Sequence, residues 1–132
     1  MSIIFSVNSE SGYFISKYIG KVTTKEIIDL YTAFFEGKDW APELNELVDH
    51  SELDGSMLTR DCIENIAKFS KSFYEMHNIS TVNTAIFAPN DLPFGLSRMY
   101  HAMTYDTPEQ VGVFRSMQEA KSWLDIKHND RN

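Results

Sequence analysis

The chain has 132 residues, of which 42% are hydrophobic and 23% are charged, and a formal net charge of −7. This length predicts one domain over residues 1–132, and the composition excludes a disordered or low-complexity chain. The single cysteine excludes an internal disulfide and fits a reducing compartment. No apolar run reaches the roughly 18 residues of a membrane span, and the start lacks a signal-peptide pattern, so we expect a soluble cytoplasmic protein.

The negative charge is concentrated in the first half of the chain. Residues 1–66 contain 5 Lys and Arg against 12 Asp and Glu, whereas residues 67–132 contain 7 of each class. An acidic surface repels phosphate backbones and anionic lipid headgroups, which argues against nucleic-acid partners and against peripheral membrane contact. The simplest interpretation is a solvated acidic face that keeps the domain soluble, and the charge favours a cationic partner.

Hydrophobic periodicity predicts the elements in chain order. Residues 3–7 and 13–22 predict a hairpin, and the capping-box spacing of Thr23 and Glu26 predicts a helix over residues 24–36. A short buried strand over 46–49 follows, and then a second helix capped by Thr59.

A continuous apolar run over 81–88 predicts a central strand. A third helix then starts at Asp91 and Pro93, a last strand spans 111–115, and a final helix follows Ser116. The polar tail from residue 127 to 132 is expected to fray. The order β-β-α-β-α-β-α-β-α predicts an α/β fold with a mostly parallel sheet and one antiparallel edge.

Several strings along almost the whole chain resemble the SpoIIAA-like family, a branch of the STAS-like fold related in architecture to CRAL-TRIO lipid-transfer domains. The strings are residues 19–23 (IGKVT), 47–49 (LVD), 85–100 (AIFAPNDLPFGLSRMY), 111–115 (VGVFR), 119–120 and 123–124. The resemblance implies a single domain with a five-stranded sheet, and a role in binding or regulation without enzymatic activity. In STAS-type antagonists a phosphorylatable serine follows the strand after the first helix; Ser56 is the nearest positional match, although the Ser-Gly order is not kept.

The loop over residues 49–59 is a candidate partner-binding or phosphorylation site. Ser51, Ser56 and Thr59 precede the second helix, whose free backbone N–H groups attract a phosphate, although nearby acids repel one. Capping of the helix by Ser56 or Thr59 is the alternative. His50 alternates with acidic residues, but the spacing matches no metal-binding loop, so we expect no metal and no cofactor.

The third predicted helix is the candidate ligand-binding element. Arg98 and His101 share one edge of it and could face an anionic ligand, although Arg98 pairing with a carboxylate elsewhere is the alternative. The resemblance places Arg98 and Tyr100 inside the most specific string. Tyr100 and Met103 also belong to an abundant aromatic and methionine set that could line a cleft for a small apolar or lipid-like ligand, or a homodimer face.

No nucleophile elbow, phosphate-binding loop or redox motif occurs, so we expect a non-enzymatic module. The acidic neighbours Asp61 and Glu64 are expected to favour the neutral thiol of Cys62. The alternative function is a small hydrolase-like or other enzyme that uses His50 or His101 with nearby carboxylates.

Overall fold

After an opening hairpin, strands and helices alternate along the chain in the computed structural model, which describes residues 2–8 and 10–131. The elements are β1 (Ile3–Asn8), β2 (Tyr13–Gly20), α1 (Thr24–Glu36), β3 (Asn45–Leu53), α2 (Arg60–Met76), β4 (Val82–Phe87), α3 (Asp91–Met103), β5 (Glu109–Phe114) and α4 (Met117–Arg131). The predicted order of elements is confirmed.

The five strands form one sheet in the order β1-β2-β3-β4-β5. β1 pairs with β2 in the antiparallel direction, and every later neighbour is parallel. The predicted mostly parallel sheet with one antiparallel edge is therefore confirmed, including the adjacent parallel pair β4 and β5 joined through α3.

The sheet separates two apolar layers. Right-handed crossovers that always advance in one direction place α1, α2 and α3 on the same face, where they bury residues such as Val48 and Ile86. α4 follows the last strand and covers the other face, where Leu124 packs with Leu47. Successive strand side chains point to opposite faces, so Leu47 and Val48 of β3 serve different layers.

Two predicted helix starts are confirmed by their caps. The Thr23 hydroxyl accepts a hydrogen bond from the Glu26 N–H, and the Glu26 carboxylate accepts one from the Thr23 N–H, which completes the capping box. Thr59 accepts from the N–H of Cys62 at 3.3 Å. These local signals fix where α1 and α2 begin.

β3 is longer than the predicted strand over 46–49, because its pairing with β2 continues to Leu53 opposite Gly20. One extra residue of β3 is accommodated where Lys17 pairs with Asp49 and Ile19 pairs with Glu52. Such a bulge shifts the alternation by one residue, so that both His50 and Leu53 line the space beneath the helices.

α4 continues to Arg131, and a Cβ atom at Gly12 would lie 2.6 Å from the His128 ring, so this helix approaches the hairpin near its end. Fraying of the tail stays a prediction. Among the described residues, no helix is long and apolar enough to cross a membrane.

Candidate functional site

A cavity of about 80 Å³ lies between the sheet and the layer formed by α1, α2 and α3. Half of the residues that line it are aliphatic or phenylalanine, and they come from both the sheet and the helices. Four tyrosines also line it: Tyr18, Tyr31, Tyr74 and Tyr100. The other polar residues of the lining are Glu46, His50, Ser70, Thr84, Ser97 and Glu109. A mostly apolar space with a few convergent polar groups is typical of small-molecule sites.

Glu46, near the start of β3, is a buried carboxylic acid with 4% exposure. Its Oε2 accepts a hydrogen bond from the Ser16 hydroxyl at 2.6 Å and another from the Tyr31 hydroxyl. Tyr31 in turn accepts from Tyr18 at 2.9 Å. Burial raises the pKa of Glu46 to about 7, against the effect of these hydrogen bonds and with a contribution from the charge of Glu109.

Glu109, at the start of β5, is a second buried acid with 5% exposure. Its two oxygens accept hydrogen bonds from the Thr84 hydroxyl at 2.6 Å and from the Tyr100 hydroxyl at 2.5 Å. Burial raises the pKa of Glu109 as well, although both hydrogen bonds oppose the rise. The Tyr100 hydroxyl also lies 2.9 Å from the Ser70 hydroxyl.

Parallel register brings the two acids to one end of the sheet. Glu46 pairs with Thr84 across β3 and β4, and Thr84 binds Glu109, so the two carboxyl groups flank β4 at the amino ends of neighbouring strands. The cavity lining, which is entirely within the described residues, contains no lysine or arginine. Two buried acids therefore share a space that holds no basic counterpart apart from His50.

His50 contributes to the cavity as an uncharged group. Its Nδ1 lies 3.2 Å from the hydroxyl of Ser97, a buried residue of α3, and its ring contacts the Tyr18 ring edge-on at 4.6 Å between centroids. Burial lowers the pKa of His50 to about 4, so the imidazole is neutral at neutral pH. It can exchange a hydrogen bond with a ligand but does not balance the acids.

The four residues of α3 that were predicted to bind a ligand lie in different environments. Tyr100 lines the cavity and binds Glu109. Met103 packs against the apolar core beside the cavity. Arg98 and His101 are exposed and do not line the cavity; the Arg98 guanidinium lies 5.9 Å from the centre of the Phe94 ring.

The four residues predicted to form a partner-binding or phosphorylation loop lie in different elements. His50 and Ser51 belong to β3, because the strand is longer than predicted, and the loop itself is reduced to residues 54–59. Ser56 is exposed, with its N–H bound to Asp54 at 2.9 Å, and Thr59 caps α2. This part of the chain forms a turn and a cap, as in the structural alternative, and His50 alone of the four residues reaches the cavity.

At Cys62 the charge of Asp61 favours the neutral thiol, as expected, but the neighbouring Thr24 and Thr59 hydroxyls outweigh it, and the pKa of the thiol is lowered overall. Among the described residues, no group of three or more His, Cys, Asp and Glu side chains could hold a metal ion.

Sequence reasoning missed both acids of the cavity. A usable signal was present: Glu46 lies two residues before the buried Val48, and Glu109 lies two residues before the buried Val111. In a strand, that spacing places a side chain on the same face as its apolar neighbour, so an acid in this position must be buried.

The layered sheet and its cavity define an α/β domain with a SpoIIAA-like fold. Among solved structures, the chain is similar to an uncharacterized protein of the DUF3478 family with a SpoIIAA-like fold, from Shewanella loihica PV-4. The two share 23% identity and a TM-score of 0.55, with 92% of this chain and 91% of that chain covered. No protein-family model and no curated protein matches the sequence. The predicted fold is confirmed. At 23% identity, the similarity supports the fold and does not extend to function.

Proposed function

We propose that this protein is a non-enzymatic binding module that takes a small, largely apolar molecule into the cavity between the sheet and α1, α2 and α3. The observation that carries the proposal is the cavity itself, with its apolar lining and inward-facing polar groups. The cavity takes precedence over the loop at 54–59, because Ser56 and Thr59 already serve a turn and a helix cap.

The volume limits the size of the ligand. A water molecule occupies about 30 Å³ of liquid, and an apolar cavity of about 150 Å³ accommodates benzene. On this scale the cavity of about 80 Å³ encloses roughly three non-hydrogen atoms, and because the space is partly open to solvent, one or two further atoms of a ligand can lie in the opening. A lipid-like chain, which the resemblance to lipid-transfer domains implies, requires the helices to move away from the sheet.

The geometry does not favour the enzymatic alternative. A serine nucleophile needs a histidine base whose pKa is near neutrality and whose ring is oriented by a third group. His50 and Ser97 are close together, but burial holds the pKa of His50 at about 4, and no described carboxylate is hydrogen-bonded to its ring. His101 is exposed and is not among the residues that line the cavity.

Titration with butan-1-ol, followed by amide NMR shifts, tests the proposal. We expect saturable shifts confined to the cavity lining. The variant Ile66→Phe fills part of the cavity and should weaken binding at least tenfold, whereas Ile126→Phe, the same change at an exposed position of α4, should leave it unaltered. Shifts that spread over the surface, or that survive in a folded Ile66→Phe protein, would contradict the proposal.

A further inference from the structure

Three polar atoms of the residues that line the cavity make no hydrogen bond to the described part of the chain, and Nε2 of His50 is one of them, because only Nδ1 of that ring is bonded. Both hydrogen bonds to Glu46 end on Oε2, and Oε1 accepts none from the described part of the chain. Tyr74, a lining residue of α2 with 5% exposure, likewise makes no hydrogen bond through its hydroxyl to any described residue. Glu46 and Tyr74 both line the cavity, so Oε1 of Glu46 and the Tyr74 hydroxyl are available to accept hydrogen bonds from the polar group of a ligand.

The charge of the cavity determines which polar group fits. Glu46 and Glu109 are both buried, no lysine or arginine lines the space, and His50 is neutral. A carboxylate or phosphate ligand would add a third acid and, when Glu46 is ionised, would leave its Oε1 without a donor. An alcohol would supply one donor but no positive charge. An ammonium group supplies three donors together with the missing charge.

The aromatic walls favour the same chemistry. Six rings line the space: Tyr18, Tyr31, Phe35, Phe69, Tyr74 and Tyr100. The faces of such rings attract cations, most strongly where water is excluded.

Building on the proposed function, we infer that the ligand is a small primary amine with an aliphatic body, bound in its protonated form with the ammonium group between Glu46, Glu109 and Tyr74. Burying an ammonium group is unfavourable unless it is both paired and hydrogen-bonded. An ionised Glu46 makes the pair neutral, and its free Oε1 together with the Tyr74 hydroxyl accepts two of the three ammonium donors. The aliphatic body then lies against Ile66 and Phe69.

This binding mode has a pH signature. The pKa of Glu46 is about 7 in the empty cavity, so amine binding at pH 6 must displace a proton that is already absent at pH 8. The titratable groups around Glu46 are Tyr18 on β2, Tyr31 on α1, His50 on β3, Tyr74 on α2, Tyr100 on α3 and Glu109 on β5. His50 titrates below this pH window and the tyrosines above it, and Glu109 is a second buried acid that acts in the same direction. Affinity for the amine should therefore rise about tenfold from pH 6 to pH 8.

NMR titrations with three probes of equal length test the inference: butylammonium, butan-1-ol and butyrate. In the wild-type protein at pH 8 we expect butylammonium to bind at least tenfold more tightly than butan-1-ol, and butyrate to bind least. Glu46→Gln should abolish the advantage of the amine over the alcohol. Glu75→Gln, the same change at an exposed position of α2, should preserve it.

The outcomes separate the two proposals. Equal or tighter binding of butan-1-ol or butyrate, or an amine affinity that does not rise between pH 6 and pH 8, overturns the inference and leaves the proposed function standing. If none of the three probes binds, the proposed function fails together with it. The comparison of amine affinity at pH 6 and pH 8 uses the wild-type protein, so it tests the inference even if Glu46→Gln does not fold.

Discussion

At the scale of single residues, the cavity acids act against the stability of the fold at high pH. Burial favours the protonated form of Glu46, so the folded state holds a proton that the unfolded chain releases between about pH 4.5 and 7. Stability must then fall as the pH rises through that window, by on the order of 3 kcal/mol for this residue. This is the opposite of the usual behaviour of a carboxylate that is paired with a base.

Glu46→Gln should remove most of that loss. The amide resembles the protonated acid and its oxygen can still accept from Ser16 and Tyr31, so the melting temperature of the variant should exceed that of the wild type at pH 8 and differ little at pH 5. Thermal unfolding at both pH values measures the effect, with Glu75→Gln as the exposed control. An identical loss of stability from pH 5 to pH 8 in wild type and Glu46→Gln would show that Glu46 is not the group responsible.

His50 should have the reverse dependence. Because its pKa is lowered to about 4 in the folded state, the unfolded chain binds a proton between about pH 6.5 and 4 that the folded state does not bind. Stability therefore falls as the pH is lowered through that range. His50→Gln should flatten the acid side of the stability curve measured by urea unfolding, whereas His101→Gln, at an exposed site, should not. If the stability of His50→Gln falls as steeply at low pH as that of the wild type, His50 is not the group responsible.

At the scale of elements, the helix starts follow from short local patterns. Thr59 both caps α2 and hydrogen-bonds the Cys62 sulfur at 3.2 Å. Strand ends are set differently, because pairing with a neighbour extends β3 to Leu53 although residues 50–52 are polar. For this reason the predicted helix boundaries agree closely with the structure, whereas the predicted third strand is too short.

Thr59→Ala should therefore have two measurable effects. Loss of the cap should lower the free energy of unfolding by about 1 kcal/mol. Loss of the hydroxyl should raise the pKa of Cys62, which slows its alkylation by iodoacetamide at neutral pH. Thr32→Ala, at an exposed position inside α1, serves as the control and should change neither quantity by a comparable amount. Unchanged alkylation in Thr59→Ala would contradict the role given to this hydroxyl.

At the scale of the whole molecule, the sheet separates the layer that contains the cavity from the layer that packs under α4. The layer under α4 is closed by fully buried apolar side chains such as Leu124, whereas the opposite layer contains the cavity and its polar groups. Stability and binding should therefore respond to different substitutions.

Leu124→Ala tests this division. Removing a buried leucine side chain typically lowers the free energy of unfolding by 2–5 kcal/mol. Because the change lies on the far face of the sheet, the affinity of the folded variant for the cavity probes should stay within twofold of the wild type. Urea unfolding and NMR titration measure the two quantities, and Ile126→Ala, at an exposed site, is the control for stability. A large loss of affinity in folded Leu124→Ala would show that the layers are coupled.

The sequence by itself determined the order of elements, the starts of α1 and α2, and the direction of the strands, because caps, periodicity and crossover handedness act over a few residues or follow from connectivity. Tertiary structure alone decided the site. Glu46, Tyr74 and Glu109 come from different elements, and whether their polar atoms are buried depends on how the helices close over the sheet. Arg98 and His101 lie within two residues of Tyr100 in the chain but are exposed and do not line that space, because a helix turns successive side chains to different faces.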